Sequence, residues 1–506
     1  MLGRSGAAIL PIAASDEALT GWSEQFAREV DHLLDVPLAD RQGYVLLLQQ
    51  ALTAASLVAM AGQSVVLVDR SPQVQAAMVL VRTQAGGWHW LGATSVSTGK
   101  TGTFEHFLTP LGVFAHTLDN PDFRAQGTIG RREFVTIAPT VLLGTSTLAA
   151  CSQAPATESY ESVAARIRRV DASVGIQGAA LGQGLPRDLS RELVQELVRL
   201  ATLAPSSHNT QCWQFAVAGQ GVTILPDLSR RCPAVDPDDH HVFVSIGCAA
   251  ENLAHAALAH GLHAESRFDA ERGAIVLALS PTPAQATPLF QAIAARQCTR
   301  GDYDGKPVSS EELKLLQRAG TSSGVRLLLL TERSVMERVL EHVVQGNTAQ
   351  MADPAFVKEL KHWIRFNGAD AVRTGDGLYS AASGNPTIPT WIGDLAFRWV
   401  FTPQSENAKV VRQIRNSTGI AVFVGEAADK AHWVEVGRAY ERFALQATAL
   451  GIRNAFLNQP VEVASVRSPF AAALGLTGQR PDLVVRFGRG PTLPPSLRRP
   501  VESVMV

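Results

Sequence analysis

The chain has 506 residues, 46% hydrophobic and 18% charged, enough for two to four domains with a sizeable core. Forty-five basic residues against forty-six acidic leave a formal net charge of −1, which removes any global electrostatic case for a nucleic-acid partner. Five cysteines without CxxC pairs or zinc spacing argue against a disulfide framework, and no uninterrupted apolar run reaches the roughly 18 residues of a spanning helix.

Residues 16–60 carry helical periodicity, with Trp22, Phe26, Val30 and Leu33 at helical intervals. From Gly62 to His116 the pattern becomes short β-rich runs, such as 64–68 and 77–81, broken by polar turns. The segments 99–107 and 109–114 resemble the first half of an L,D-transpeptidase catalytic domain, which is β-rich. That family carries its nucleophilic cysteine in a later Ser-His-Gly-Cys segment. Here the resemblance stops near Gly127, and no cysteine precedes Cys151. Transpeptidase activity is therefore not expected, and His106 and His116 read as structural residues. The spacing from Gly92 to Gly99-Lys100-Thr101 leaves six residues between the glycines, where a phosphate-cradling loop needs four.

The string Gly130-Arg131-Arg132-Glu133-Phe134-Val135 precedes an apolar run over 135–150 that ends in Leu148-Ala149-Ala150-Cys151. It resembles a twin-arginine export signal with a lipoprotein cleavage box, which implies a lipid anchor at Cys151. The other reading is a chance arginine pair before a buried helix. Because the signal begins near residue 129, location hinges on the translation start. A downstream start implies a periplasmic or membrane-anchored product, and a start at Met1 a cytoplasmic one. Residues 153–159 form a small polar linker, and 175–184 a Gly-rich loop.

The remainder alternates helices (191–202, 242–262, 311–319, 433–450) with strands (273–279, 420–424, 483–487), an α/β pattern. The two long helices each run into a related turn, Gly261-Leu262 and Gly451-Ile452. This weak internal repeat suggests two related lobes.

The strongest chemical signal is Ala204-Pro205-Ser206-Ser207-His208-Asn209-Thr210-Gln211-Cys212-Trp213, directly after a helix that Pro205 ends. Its short polar side chains and loop N–H groups suit the polar edge and ribityl chain of a flavin. The plainer alternative is a capped helix end above a buried Trp213. A second signal is Arg296-Gln297-Cys298-Thr299-Arg300, whose arginines four apart suit a phosphate; a solvated basic turn would look the same. The third is basic: Arg486-Phe487-Gly488-Arg489, then Arg498-Arg499.

Together these segments resemble the nitroreductase superfamily. The first matches its Pro-Ser-Ser-x-Asn-x-Gln-Pro-Trp string, with Cys212 in place of a proline. The second matches Arg-x-Ser-x-Arg/Lys, with Cys298 in place of the serine. Over about 160–506, including Asn458-Gln459-Pro460 and the closing Arg-Arg-Pro-Val, the chain resembles the mycobacterial Acg-like flavoproteins. The resemblance implies an α+β nitroreductase fold of two fused lobes, a pseudo-dimer in one chain, so a monomer. One composite flavin site would be intact and its counterpart degenerate.

It further implies FMN as cofactor, held by Ser206, Ser207, Asn209, Gln211, Arg296, Cys298, Arg300, Asn458, Arg498 and Arg499, under a lid around 370–395. The expected activity is FMN-dependent oxidoreduction, from NAD(P)H to small-molecule nitro or quinone-type acceptors, with no catalytic side chain required. The alternative is an FMN-sequestering protein with little turnover. The expected organisation is a β-rich fragment over 1–128, signal and linker over 129–159, and lobes over 160–290 and 291–506. The contiguous run 236–241 (Asp-Pro-Asp-Asp-His-His) has no apparent partner cluster, so no metal site is expected.

Overall fold

The computed structural model describes residues 16–30, 33–54, most of 58–95, 112–115, 134–138, 158–169, 189–390, 393, 397 and 401–506. The chain divides into two compact units. One comprises Met1–Thr157 with 367–369 and 386–392; the other holds the rest.

In the first unit the helices Asp16–Glu29 and Leu38–Ala54 divide the helical stretch expected over 16–60. Five strands follow: β1 (Ser64–Asp69), β2 (Ala76–Arg82), β3 (Trp88–Ser95), β4 (Gly112–Ala115) and β5 (Phe134–Ala138), in the order β3-β2-β1-β5-β4. Alternation along β1 and β2 buries Val65, Leu67, Met78 and Leu80 against Leu48 and Ala51. Strand β5, which pairs antiparallel with β1, opens the apolar run read as an export signal. His106, His116, the twin arginines, Cys151 and the stretches 153–157 and 175–184 lie outside the described residues.

The second unit contains two four-stranded antiparallel sheets built to one plan. The first has β6 (Trp213–Ala218), β7 (Gly221–Pro226), β8 (Leu262–Asp269) and β9 (Ala274–Pro281), in the order β6-β7-β9-β8. The second has β10 (Val325–Leu330), β13 (Gly419–Gly425), β14 (Arg453–Phe456) and β15 (Pro481–Gly488), in the order β10-β13-β15-β14. In each, a 20-residue helix follows the second strand and leads into a third strand at the sheet edge. These central helices, His240–Ala259 and Lys430–Ala449, are the two long helices seen in the sequence. The first is apolar enough to cross a bilayer, but it is largely buried in this unit, as a core helix would be.

The lobes differ between their first two strands. β6 and β7 are joined by a tight turn at Gly219-Gln220, whereas 331–418 intervenes between β10 and β13. That insertion carries the helices Arg333–Ala352, Pro354–Trp363, Gly368–Thr374 and Pro403–Arg415, and a two-stranded parallel pair, β11 (Ile364–Arg365) and β12 (Leu378–Tyr379). Ser190 caps the helix Arg191–Thr202, and a Ser309/Glu312 capping box starts Ser310–Gly320.

Candidate functional site

After the helix Arg191–Thr202, the backbone is forced into an unusual course. His208, Asn209 and Gln211 all have positive φ (49°, 55° and 56°), a costly conformation for residues other than glycine. The surrounding structure over-determines it. Ser206 Oγ accepts the Gln211 N–H at 2.9 Å. The Asn209 amide donates to the carbonyls of Gly377 and Leu497 at 3.0 and 3.2 Å, and Arg498 donates to its oxygen at 2.9 Å. Gln211 donates to Gly375 O and accepts from the Arg499 N–H, both at 2.9 Å. Asn209 and Gln211 therefore hold the loop, while Ser206, Ser207 and His208 line a cavity of about 260 Å³, just below the ~300–1,000 Å³ typical of ligand pockets.

Both lobes and the insertion build this cavity. Val244, Ser245 and Cys248 come from the first central helix, and Arg300, Asn458, Leu483 and Arg486 from the second lobe. Lys409, Gln413, Asn347, Gln350, Phe356 and Asn385 come from the insertion. Three cations converge here. Arg486 is fully buried, stacks 4.1 Å from the Tyr303 ring centroid and donates to Gly301 O at 2.8 Å. Lys409 Nζ donates to Asn385 Oδ1 at 3.1 Å. Burial lowers the Lys409 pKa, and Arg300 and Arg486 push it the same way, although Glu406 opposes them. Such unbalanced positive charge suits an anion. Amides supply a second kind of contact: Asn458 Oδ1 accepts from Val484 N at 3.0 Å, and Gln459 Oε1 is buried without a hydrogen-bond partner among the described residues.

Of the ten sequence-derived candidates, Ser206, Ser207, Arg300 and Asn458 line the cavity. The other six are engaged outside its lining. Arg296 is buried, with Nε 3.1 Å from Glu441 Oε1 and a donated bond to Leu203 O at 2.7 Å. Cys298 sits in a parallel bridge with Asn454. Arg498 donates to the carbonyls of Thr202, Leu203 and Ala204, so it satisfies the open end of the helix Arg191–Thr202. Arg499 donates to Gln211 O at 2.9 Å, and Asn209 and Gln211 hold the loop as described.

Two cavity cations, Arg486 and Lys409, were not among the ten candidates, although Arg486 opens the third basic string, and each had a signal. Arg486 interrupts the apolar run 483–487, and a charge inside a buried strand is uncommon. Lys409 and Gln413, four apart, share the helical side that buries Val410 and Ile414.

The absence of partners expected for Asp236-His240-His241 is corrected by the fold. The three converge with side-chain atoms within 4.8 Å of one another. His240 Nε2 lies 3.0 Å from Asp482 Oδ1, and His241 Nε2 lies 3.5 Å from Glu462 Oε1. Both carboxylates come from more than 200 residues away, beyond the reach of local spacing. Burial pushes Asp236, Asp482 and Glu462 up to about 7 and both imidazoles well below their usual value. His240 and Asp482 are thus a hydrogen-bonded, near-neutral pair rather than a full ion pair, and His241 and Glu462 are near-neutral neighbours.

No protein-family model matches the chain. Two curated Mycobacterium tuberculosis proteins, from strains CDC 1551 / Oshkosh and ATCC 25618 / H37Rv, are each 27% identical to it over 327 residues, 62% of this chain and 91% of theirs. Both are provisionally named NAD(P)H nitroreductases. The likeness is to that group. Among solved structures, a Bacteroides fragilis nitroreductase with bound FMN is 16% identical at a TM-score of 0.25, covering 40% of this chain and 89% of its own. The FMN-dependent nitroreductase NfnB of Mycobacterium smegmatis, in complex with NADPH, is 13% identical at 0.27, covering 40% and 87%.

Proposed function

We propose that the chain is an FMN-dependent oxidoreductase of the nitroreductase superfamily, Acg-like, passing electrons from NAD(P)H to nitro or quinone-type acceptors. The observation that carries this reading is the meeting of Ser206 and Ser207 from one lobe with Arg300 and Arg486 from the other at one cavity. The curated relatives' names agree with it.

The residues fit FMN. Arg300, Arg486 and Lys409 offer the phosphate a cationic end, and Asn458 and Gln459 offer amides to the polar edge of the ring. When bound, the flavin supplies the hydride and single-electron chemistry that no side chain here can perform. The protein's part is to orient that group between apolar walls such as Val244 and Leu483, and to exclude water. We assign the lid to residues around 370–395, of which Leu378, Ser380, Ser383 and Asn385 line the cavity. The two-lobed unit would work as a monomer.

The test is the visible spectrum of the purified full chain, followed by heat release and identification of the chromophore. Released FMN together with NAD(P)H oxidation in the presence of a quinone supports the enzyme. A colourless chain that fails to take up added FMN overturns the reading. FMN bound without turnover favours flavin sequestration, to which the cover supplied by the insertion also lends support. Twin-arginine export with a lipid anchor at Cys151 is the matching proposal for location. Intact mass from native membranes tests it, and retention of 1–128 would sink it.

A further inference from the structure

Besides cations and amides, the cavity is lined by a carboxyl group that flavin binding leaves without a task. Glu462 ends the short helix Gln459–Glu462 and lines the cavity together with His241. Its Oε2 accepts from Gln350 Nε2 at 2.6 Å, and its Oε1 faces His241 Nε2 at 3.5 Å. The two side chains are 14% and 5% exposed, so bulk water does not bathe them. Asp236, the nearby alternative, is occupied as an acceptor for the N–H groups of His241 and Val242 and does not line the cavity.

We propose that Glu462 is the proton donor to acceptors reduced in this cavity, with His241 positioned to return the proton to it. The inference rests on the oxidoreductase reading above. Converting a quinone to its hydroquinone takes one hydride, from NAD(P)H through the bound cofactor, and one proton. The Glu462 O–H bond breaks, an O–H bond forms on the quinone oxygen, and the carboxylate that remains takes a proton from water by way of the imidazole. A neutral imidazole can accept at one nitrogen and donate from the other.

The groups facing Glu462 favour its protonated form. Asp236 from the loop before the first central helix and Glu359 from the helix Pro354–Trp363 raise its pKa, in the same direction as burial. Gln350 and Arg467 oppose them, and His241 is itself held neutral. The balance leaves the carboxyl near 7, where an acid can both give and regain a proton.

The experiment compares the full FMN-loaded chain with Glu462→Gln, and uses His241→Asn as a second variant in case the first folds poorly. Glu462→Gln keeps a hydrogen-bonding partner for Gln350, so FMN should remain bound. Quinone turnover should fall about 100-fold, the usual order for general-acid catalysis, and the alkaline limb of the pH–rate profile should vanish. His241→Asn should lower kcat with little change in KM. Independently of turnover, pH-difference infrared spectra of the wild-type chain should show a carboxyl titrating near neutrality that is absent from Glu462→Gln. Turnover within about threefold of wild type with an unchanged pH profile, or a Glu462 carboxyl already ionised at pH 5, overturns the proposal while FMN binding stands. A chain without flavin overturns the parent reading and this one with it.

Discussion

Gly247 and Gly437 occupy matching positions on the two central helices, and at each the backbone of the other helix packs directly against the glycine. A Cβ on Gly247 would lie 2.2 Å from Val434 O, and one on Gly437 would lie 2.0 Å from Val244 O. Val244 and Val434 stand three residues before the two glycines, so the contact is reciprocal, as in a two-fold interface. Glu251 and Glu441 are paired by the same interval, but their surroundings have diverged. Glu251 is held down to about 2: burial opposes this, and His255, Arg442 and Arg438 together outweigh it. Glu441 has Arg296 beside it, and burial pushes it up to about 7.

Because the obstructing atoms are backbone, neither glycine should tolerate even a methyl group. Gly437→Ala and Gly247→Ala should each destabilise the chain by about 3 kcal/mol, at the upper end of overpacking costs. Gly43→Ala, with nothing within 4 Å and a place inside the helix Leu38–Ala54, should be neutral or gain up to about 1 kcal/mol. Urea denaturation of the three variants checks both signs.

Removing a cation from the basic end should weaken FMN binding without disturbing the fold. Arg300 lines the cavity, so Arg300→Ala should cost about 1.5–3 kcal/mol of affinity, roughly 10- to 100-fold in Kd. Lys409→Ala should act in the same direction. Quenching of flavin fluorescence during titration reads the effect, and an unchanged Kd in both variants would place the phosphate elsewhere.

Arg498 should behave differently. Its guanidinium serves three consecutive carbonyls and Asn209, so Arg498→Ala strands buried acceptors at the helix end. A stability loss of about 3–5 kcal/mol follows from uncompensated burial. Arg498→Lys should recover little of it, because an ammonium cannot span the same fork. Thermal melts of the two variants decide the point.

Stability should fall as pH rises past neutrality. Asp236, Asp482, Glu441 and Glu462 have folded pKa values near 7, above their ordinary carboxylate values, so the folded state binds more protons. Their contribution is complete below about pH 4 and is lost as pH climbs through 7. His208, lowered to about 4, and His240 and His241 have the opposite sign; their contribution is present above about 6.5 and is lost on acidification. Between pH 6.5 and 8 the carboxyls act alone, and Tm should drop by on the order of 5 °C. Glu462→Gln should shallow that drop, and a flat profile would contradict the four assignments.

Local sequence determined the elements of this protein. Periodicity located the helix Arg191–Thr202 to the residue and both central helices to within about three residues, because an amphipathic or apolar face repeats over a few turns. Pro205 and the serines after it marked the loop, and Gly261-Leu262 with Gly451-Ile452 betrayed the repeat. Tertiary structure decided what each polar group does. Arg300 and Arg498 look alike in a string of letters, yet one lines a cavity and the other ends a helix almost 300 residues earlier. Glu462 meets His241, and Asp482 meets His240, only because the chain folds back on itself, and Lys409 meets Asn385 within the insertion after β10. Secondary structure is fixed by neighbours within a turn or a strand. The fate of a charge is fixed by whichever partners share its buried surroundings, and those come from any part of the chain.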